Sequence, residues 1–439
     1  MENTLSTNFK DDSAEKINEV LDFVLNNPYS SFYRKKYKNK SATKIASYDD
    51  FMKIPLLSKD EFINLDIDQI TFVPQSEIKF YAASGGTTTG IPTIIPHANY
   101  YFDQLARNYF NEETFLRLGV KNIMTLLLPN SGPLLRVMRM PKKHTVLIPG
   151  DIENFALSAD MAKEVSVQGI ITSPSRLNTF IPYLEQIDYD FNQIKWISLG
   201  HEFFPASQLK KFKRKMPNAF FNIHYGASEI GGGRGYRCEH LAKLESPQIF
   251  HPTPSLIEIV DKAGNILPFA SVGEIVHTDL TEKAFPVIRY KMGDIGMLEK
   301  IICPCGNNLR LTLEGRHMVD FVEIKKNILS SQMINDALIA VEKHTDSRFQ
   351  MHVFTKNCAG IEKIQLELHL KLNKSSQHQI KNLEFHNMLA EKISENLILK
   401  PNTSLKDLIT NNDFLPLMIT FVDAWHSSSN KAKHIILHS

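Results

Sequence analysis

The chain has 439 residues, with 50 Lys+Arg against 48 Asp+Glu and a formal charge of +2, so no global charge draws it to nucleic acid or an anionic membrane. At 43% hydrophobic and 22% charged residues it has the composition of a folded protein, and its length predicts two or more domains. Its 4 cysteines are too few for a disulfide scaffold. Residues 1–16 are polar, without the apolar core of a signal peptide, and no apolar run approaches the roughly 20 residues that span a bilayer. A cytoplasmic protein without a membrane or nucleic-acid partner is expected.

Residues 14–26 place Ile17, Val20, Leu21, Val24 and Leu25 at helical spacing, which predicts an amphipathic helix. The segment Ser84-Gly85-Gly86-Thr87-Thr88-Thr89-Gly90-Ile91-Pro92-Thr93 reads as a loop. Its glycines allow close backbone approach to a ligand, and its hydroxyls can donate to phosphate oxygens. No Lys-Ser/Thr follows the last glycine, so it is not a Walker-type P-loop. Short apolar runs then alternate with helical patterns, at Ile123–Leu128, Thr145–Ile148, Gly169–Thr172, Ile194–Leu199 and Phe220–Ile223. They predict a largely parallel sheet with crossover helices. Strands at Leu256–Val260 and Glu274–Thr278 flank the turn signal Ala263-Gly264-Asn265.

After Gly315 the pattern is strand Phe321–Ile324, helix Ser331–Val341, strands Phe349–Thr355 and Ile364–Leu370, a helix over 381–397, and strand Leu417–Val422. That βαββαβ order predicts a separate small domain. The expected fold is α/β: a large multi-layer α/β domain over residues 1–316 and a small, mobile α+β C-terminal domain over 317–439.

Cys303-Pro304-Cys305-Gly306 and Cys238, with His240 or His251 as the fourth donor, offer the ligand set of a tetrahedral structural Zn²⁺ site. Cys358 belongs to no cluster.

Taken in order, the loop at 84–93 and several further segments resemble the adenylate-forming (acyl/aryl-coenzyme A synthetase) superfamily, most closely its phenylacetate–coenzyme A ligase-like branch. Lys53-Ile54-Pro55-Leu56-Leu57-Ser58-Lys59-Asp60 is similar to a segment upstream of the family loop. Thr172-Ser173-Pro174-Ser175 and Gly200-His201-Glu202 are similar to segments on the substrate and adenine side. His224-Tyr225-Gly226-Ala227-Ser228-Glu229, Arg289-Tyr290-Lys291-Met292-Gly293-Asp294 and Glu314-Gly315-Arg316 match in the same order.

The resemblance implies an ATP-dependent carboxylic acid ligase that forms an acyl adenylate, releases pyrophosphate and passes the acyl group to coenzyme A. Its acid would be an aryl or small organic acid. By the same resemblance, Ser84, Gly85, Gly86, Thr87, Thr88, Thr89 and Gly90 wrap the phosphates of ATP. Gly200, Glu202, Tyr225, Gly226, Ala227 and Ser228 line the nucleotide, with Tyr225 stacked on adenine. Asp294 accepts the ribose hydroxyls, and Arg316 contacts ribose or phosphate at the hinge. Glu229, helped by Thr87 or Thr88, holds Mg²⁺. Lys431, with Lys433 in reserve, brings the catalytic cation from the small domain. The branch also carries a Cys, a later His and a Cys-Pro-Cys-Gly turn, which favours His251 over His240 as zinc ligand. A homodimer is left open.

The match departs at two places. The loop at 84–93 holds one residue more than the family loop. Past the hinge, Asn327, Ser331 and Gln332 agree, but the hinge acid is replaced by Met318 and a glycine by Lys325. A lysine where the family has only a hydrogen could obstruct a thiol acceptor, which brings in an amine or a carrier protein as alternative acceptors. The reading from another class is a nucleotide- or acyl-binding protein without turnover.

Overall fold

The computed structural model describes residues 13–37, 44–83, 93–98, 112–128, 144–200, 202–204, 206–230, 232–252, 255–316, 321–324, 327–358, 360–400, 403–423 and 435–438. The chain divides into two units, the first ending at Leu313 and the second beginning at Glu314, with Phe204–Lys211 grouped in the second. Among the described residues no helix is long and apolar enough to cross a membrane.

In the first unit the opening helix, Ser13–Leu25, forms where its apolar spacing predicts it, and Ile17, Leu21 and Val24 are buried. They join Phe51, Leu57, Phe62, Phe285, Val287 and Tyr290 in one core. The hairpin β1 (Phe80–Ala83) and β2 (Ile94–His97) leads into and out of the segment at 84–92.

The main sheet comprises β3 (Asn122–Leu126), β4 (Val146–Pro149), β5 (Gly169–Thr172), β6 (Trp196–Leu199), β7 (Phe220–Ala227), β8 (Gly232–Tyr236), β9 (Ile249–Pro252), β10 (Leu256–Val260), β11 (Val272–Thr278), β12 (Tyr290–Lys300) and β13 (Leu309–Arg316). Their spatial order is β10-β11-β12-β13-β9-β8-β7-β6-β5-β3-β4, an 11-stranded sheet. The run β7-β6-β5-β3-β4 is parallel. Beyond β7 the pairs β7–β8, β8–β9, β9–β13, β10–β11 and β11–β12 are antiparallel. The expectation of a largely parallel sheet is therefore corrected to a mixed one.

The physical reason is local. Strands β5 and β6 are buried at every residue, the continuous apolar signature of a covered parallel sheet. The later strands are joined by short turns instead of crossover helices. Between β10 and β11 the Asp261 carboxylate accepts from the amides of Ala263 and Asn265 at 2.9 and 2.8 Å, and Gly264 takes a φ of +88°.

The second unit follows the expected βαββαβ order with additions. β14 (Phe321–Ile324) pairs with β15 (Asn327–Ser330), ahead of the helix Ser331–Leu338. β16 (Thr345–Cys358) and β17 (Ile361–Leu372) are the centre of a four-stranded sheet. The helix Leu383–Asn396 lays Phe385, Leu389 and Ile393 into the core with Leu366, Leu368 and Leu370. β18 (Ile398–Lys400) and β19 (Thr403–Ser404) form a small pair. β20 (Met418–Phe421) and β21 (Ile435–His438) complete the four-stranded sheet, parallel to β17 and β16 respectively.

Gly273 lies opposite Gly296 in the β11–β12 ladder. A Cβ on it would stand 2.4 Å from the carbonyl oxygen of Val260 and 2.7 Å from Leu267 Cδ1. Gly273→Ala is therefore expected to cost about 1–3 kcal/mol in urea unfolding; an unchanged midpoint would show that this backbone approach is not tight.

Candidate active site and metal centre

The parallel strands end together, and in open α/β sheets ligands bind beyond such carboxyl ends. Ser173 follows β5 and caps the helix Pro174–Gln186, its Oγ accepting from the Arg176 amide at 3.4 Å. Glu202, three residues beyond β6, accepts from the amide and hydroxyl of Ser175 at 3.0 and 2.7 Å. Its negative charge thus sits on a helix N-terminus, where the macrodipole favours it. A Cβ on Gly200 would lie 2.4 Å from Nε2 of His224, so this glycine makes room for an imidazole. Nδ1 of His224 lies 3.4 Å from Ser198 Oγ. Burial pushes the His224 imidazole down to about 4, so it is neutral at pH 7.

Tyr225, next along β7, points to the opposite face, as strand alternation requires. Its hydroxyl donates to Oδ2 of Asp294 at 2.7 Å, and both residues are buried. Asp294 lies on β12 directly after Gly293, whose φ of +75° suits a residue without Cβ. Tyr225 and Asp294 are 69 residues apart in sequence, and the Tyr225 hydroxyl, also 3.5 Å from the Met292 sulfur, joins their two motifs.

Ser228 Oγ donates to the carbonyl of Ala83 at 3.4 Å, which ties the turn after β7 to the residue before the 84–92 segment. Glu229 is buried at 9% exposure, and its Oε1 receives Lys59 Nζ at 3.2 Å. At the other leg of the hairpin Glu282 accepts from the amides of Ala98 and Ala284 at 3.0 and 2.9 Å and lies 3.2 Å from His97 Nδ1.

The structure thus brings Tyr225 against Asp294 and gives Glu229 a cationic partner. The reading of residue types assigned Lys59 no role. The lysine stood in a matched segment, but nothing in sequence pairs it with a carboxylate 170 residues away. Ser84, Gly85, Gly86, Thr87, Thr88, Thr89, Gly90, His201, Met318, Lys325, Lys431 and Lys433 lie outside the described residues. The backbone of Arg316 closes β13.

The cysteine cluster is assembled as the spacing predicts. Donor atoms of Cys238, His251, Cys303 and Cys305 all lie within 4.8 Å of one another. Cys238 Sγ stands 3.4 Å from His251 Nε2 and 3.7 Å from Cys303 Sγ. Cys305 Sγ stands 3.4 Å from His251 Nε2 and 3.3 Å from Cys303 Sγ. A tetrahedron with Zn–S of about 2.3 Å and Zn–N of about 2.0–2.1 Å has edges of roughly 3.5–3.8 Å, close to these, whereas a disulfide needs about 2.05 Å.

His251 Nδ1 lies 2.7 Å from the carbonyl of Leu309. That contact requires the proton on Nδ1, which leaves the Nε2 lone pair for the cluster, as in histidines that bind a metal through one nitrogen and donate from the other. Burial lowers the His251 pKa, keeping it neutral. His240 is exposed on the short helix Glu239–Ala242 and outside the cluster, which His251 completes instead.

No family model matches the chain. Over 147 residues it is 31% identical to the phenylacetate–coenzyme A ligase of Aromatoleum evansii, covering 32% of this chain and 31% of that protein. Over 394 residues it is 22% identical to the phenylacetate–coenzyme A ligase of Pseudomonas putida, covering 82% of each. The chain thus spans under a third of the first relative's length and four fifths of the second's.

Among solved structures, 2-hydroxyisobutyryl-CoA ligase in the postadenylation state with 2-HIB-AMP superposes with a TM-score of 0.73 at 15% identity, over 98% of this chain and 89% of that one. An acyl acid amido synthetase in complex with 2,4-DB superposes with a TM-score of 0.62 at 13% identity, over 94% and 87%. At such identities the likeness is one of fold: the chain has the fold of these two proteins.

The depressed pKa of His224 has a consequence for stability. Above about pH 6.5 both folded and unfolded chains hold it neutral. As pH falls toward about 4 the unfolded chain is protonated first, so stability is lost at up to about 1.4 kcal/mol per pH unit. His224→Gln should flatten the stability profile across that window, read by urea unfolding; the same slope as wild type would contradict the buried neutral imidazole. His277, also held neutral by burial, contributes equally in both proteins.

Proposed function

Taking the chain as a relative of the phenylacetate–coenzyme A ligases within the adenylate-forming superfamily, we propose that it is an ATP-dependent carboxylic acid ligase. A carboxylate oxygen of an aryl or small organic acid attacks the α-phosphorus of ATP. The bond to the bridging oxygen breaks and pyrophosphate leaves; the thiol of coenzyme A, losing its proton, then attacks the acyl carbon, the bond from that carbon to the phosphate oxygen breaks, and AMP leaves. The observation that carries this reading is the clustering, at one edge of the sheet, of a buried carboxylate with an ammonium partner, Glu229 with Lys59, and of the Tyr225–Asp294 pair.

Two anions must meet in this reaction, so catalysis is mainly charge compensation in a dry site. Glu229, with a hydroxyl of Thr87 or Thr88, would hold Mg²⁺, a hard cation that takes a few protein oxygens and shields phosphate charge. Lys59 neutralises Glu229 and orients one of its oxygens. Asp294 would accept from the ribose hydroxyls, with Tyr225 keeping its second oxygen in place and the tyrosine ring serving adenine. Gly200, Glu202, Gly226, Ala227 and Ser228 would form the wall beside them. Glu202 acts through the helix it caps. Ser84, Gly85, Gly86, Thr89 and Gly90 would wrap the phosphates, and Arg316 would serve the hinge between 1–316 and 317–439. Lys431, from the small domain, would reach the crowded carboxylate and α-phosphate.

Cys238, His251, Cys303 and Cys305 would hold a structural Zn²⁺. A site with four protein ligands has no open position for catalysis, and its contribution is to folding.

Coenzyme A is the acceptor we favour, from the character of the phenylacetate–coenzyme A ligase relatives. Lys325 and the likeness to an amido synthetase support a second reading, in which an amine takes the acyl group.

Lys431→Ala is expected to lower acid-dependent ATP–pyrophosphate exchange by at least about hundredfold, roughly 2.7 kcal/mol of barrier, without loss of fold. A change below about threefold would remove Lys431 from the chemistry. Exchange absent with every acid of an aromatic and aliphatic panel, in wild type that binds ATP, would leave a nucleotide-binding protein instead of a ligase.

Protein purified without chelator should carry about one zinc per chain. Cys303→Ser should lose that zinc and unfold at a lower temperature. Zinc-free wild type of undiminished stability would refute the metal centre.

A further inference from the structure

Arg289 is 3% exposed, yet it is not simply paired with one carboxylate. Its Nε and Nη2 each donate to Glu258 at 3.0 Å. Its Nη1 donates to two backbone carbonyls, those of Met52 and Ile54, both at 2.6 Å. Its backbone has a φ of +50°, unusual for a side chain with a Cβ. In that conformation its own carbonyl accepts from the Leu57 amide, while the Lys291 amide donates to the Leu57 carbonyl, each at 2.8 Å. The segment from Met52 to Leu57 is thus held at three residues, Met52, Ile54 and Leu57, by Arg289 and Lys291. Two residues further on, Lys59 Nζ meets Glu229 at 3.2 Å. Tyr48 braces the other end, its hydroxyl 3.3 Å from Glu258 Oε1.

We propose that Arg289 is a positioning residue: by holding the carbonyls of Met52 and Ile54 it fixes the segment that presents Lys59 to Glu229, and so sets the affinity for Mg²⁺·ATP. This rests on the functional reading above. A residue in an uncommon backbone conformation that a buried network over-determines is where a structure stores constraint for a site. Here the constraint leads to a single ammonium group. A lysine in place of Arg289 could keep the buried charge beside Glu258, but its point-like ammonium could not bind the carboxylate bidentately and also reach two carbonyls.

The test is a double-mutant cycle read as Mg²⁺·ATP affinity by calorimetry, with urea unfolding as a control on fold. Arg289→Lys and Lys59→Ala should each weaken binding about tenfold, and the double variant should bind like Lys59→Ala alone, because Arg289 acts through Lys59. Wild-type affinity in Arg289→Lys, or losses that multiply to about hundredfold, would overturn the inference while leaving the functional reading in place. Wild type that does not bind Mg²⁺·ATP would overturn both. Should Arg289→Lys fail to fold, Tyr48→Phe loosens Glu258 more gently. It should weaken binding about two- to threefold in wild type and not at all on the Lys59→Ala background; an equal loss on both would overturn the inference.

Discussion

The buried pairing of Arg289 with Glu258 is the contact on which much of the first unit depends. Removing two charges from water costs several kcal/mol each, and a single contact does not repay it. Here the cost is offset by a bidentate geometry, by two carbonyls on the remaining guanidinium nitrogen, and by the Tyr48 hydroxyl. The pair joins β10 to the residue before β12, and both to the segment that follows the helix Tyr48–Met52. Elements far apart in sequence are locked into one arrangement, and the segment so held leads two residues on to Lys59, which pairs with Glu229.

The same economy of charge runs along the carboxyl edge of the parallel strands. Three acids of the candidate site have partners that limit their motion: Glu202 on a helix N-terminus, Glu229 on Lys59, Asp294 on Tyr225. His224, beside them, is kept neutral by burial and adds no charge at pH 7. A reaction that brings a carboxylate to a polyphosphate needs acids that are fixed in place and already compensated, since mobile anions would repel both substrates. In the Cys238–His251–Cys303–Cys305 cluster the Leu309 carbonyl likewise holds the Nδ1 side of His251, which turns Nε2 toward the three sulfurs.

Much of this was legible in the sequence because it is local. The opening helix shows its period, β5 and β6 show as uninterrupted apolar runs, and the Cys303-Pro304-Cys305 spacing announces two donors of one cluster. Spacing alone left His251 and His240 open, since both follow Cys238 closely; the resemblance favoured His251, and it is His251 that lies in the cluster. The antiparallel half of the sheet was under-read, because its strands carry glycines and charges, as in β8 and β12, where a covered parallel strand would be apolar. The pairs Lys59–Glu229 and His97–Glu282, 170 and 185 residues apart, leave no trace in spacing or composition. They arise where the fold returns distant segments to one edge, and only the tertiary structure brings them together.

The central claim is that a carboxylate oxygen becomes bonded to the α-phosphorus of ATP. Turnover with an acid labelled by ¹⁸O in its carboxylate tests this most directly, since acyl transfer leaves that oxygen behind on the nucleotide. The account predicts one ¹⁸O per AMP formed, with none in pyrophosphate or orthophosphate. Label in orthophosphate with unlabelled nucleotide would mean attack at the terminal phosphorus, and would contradict it.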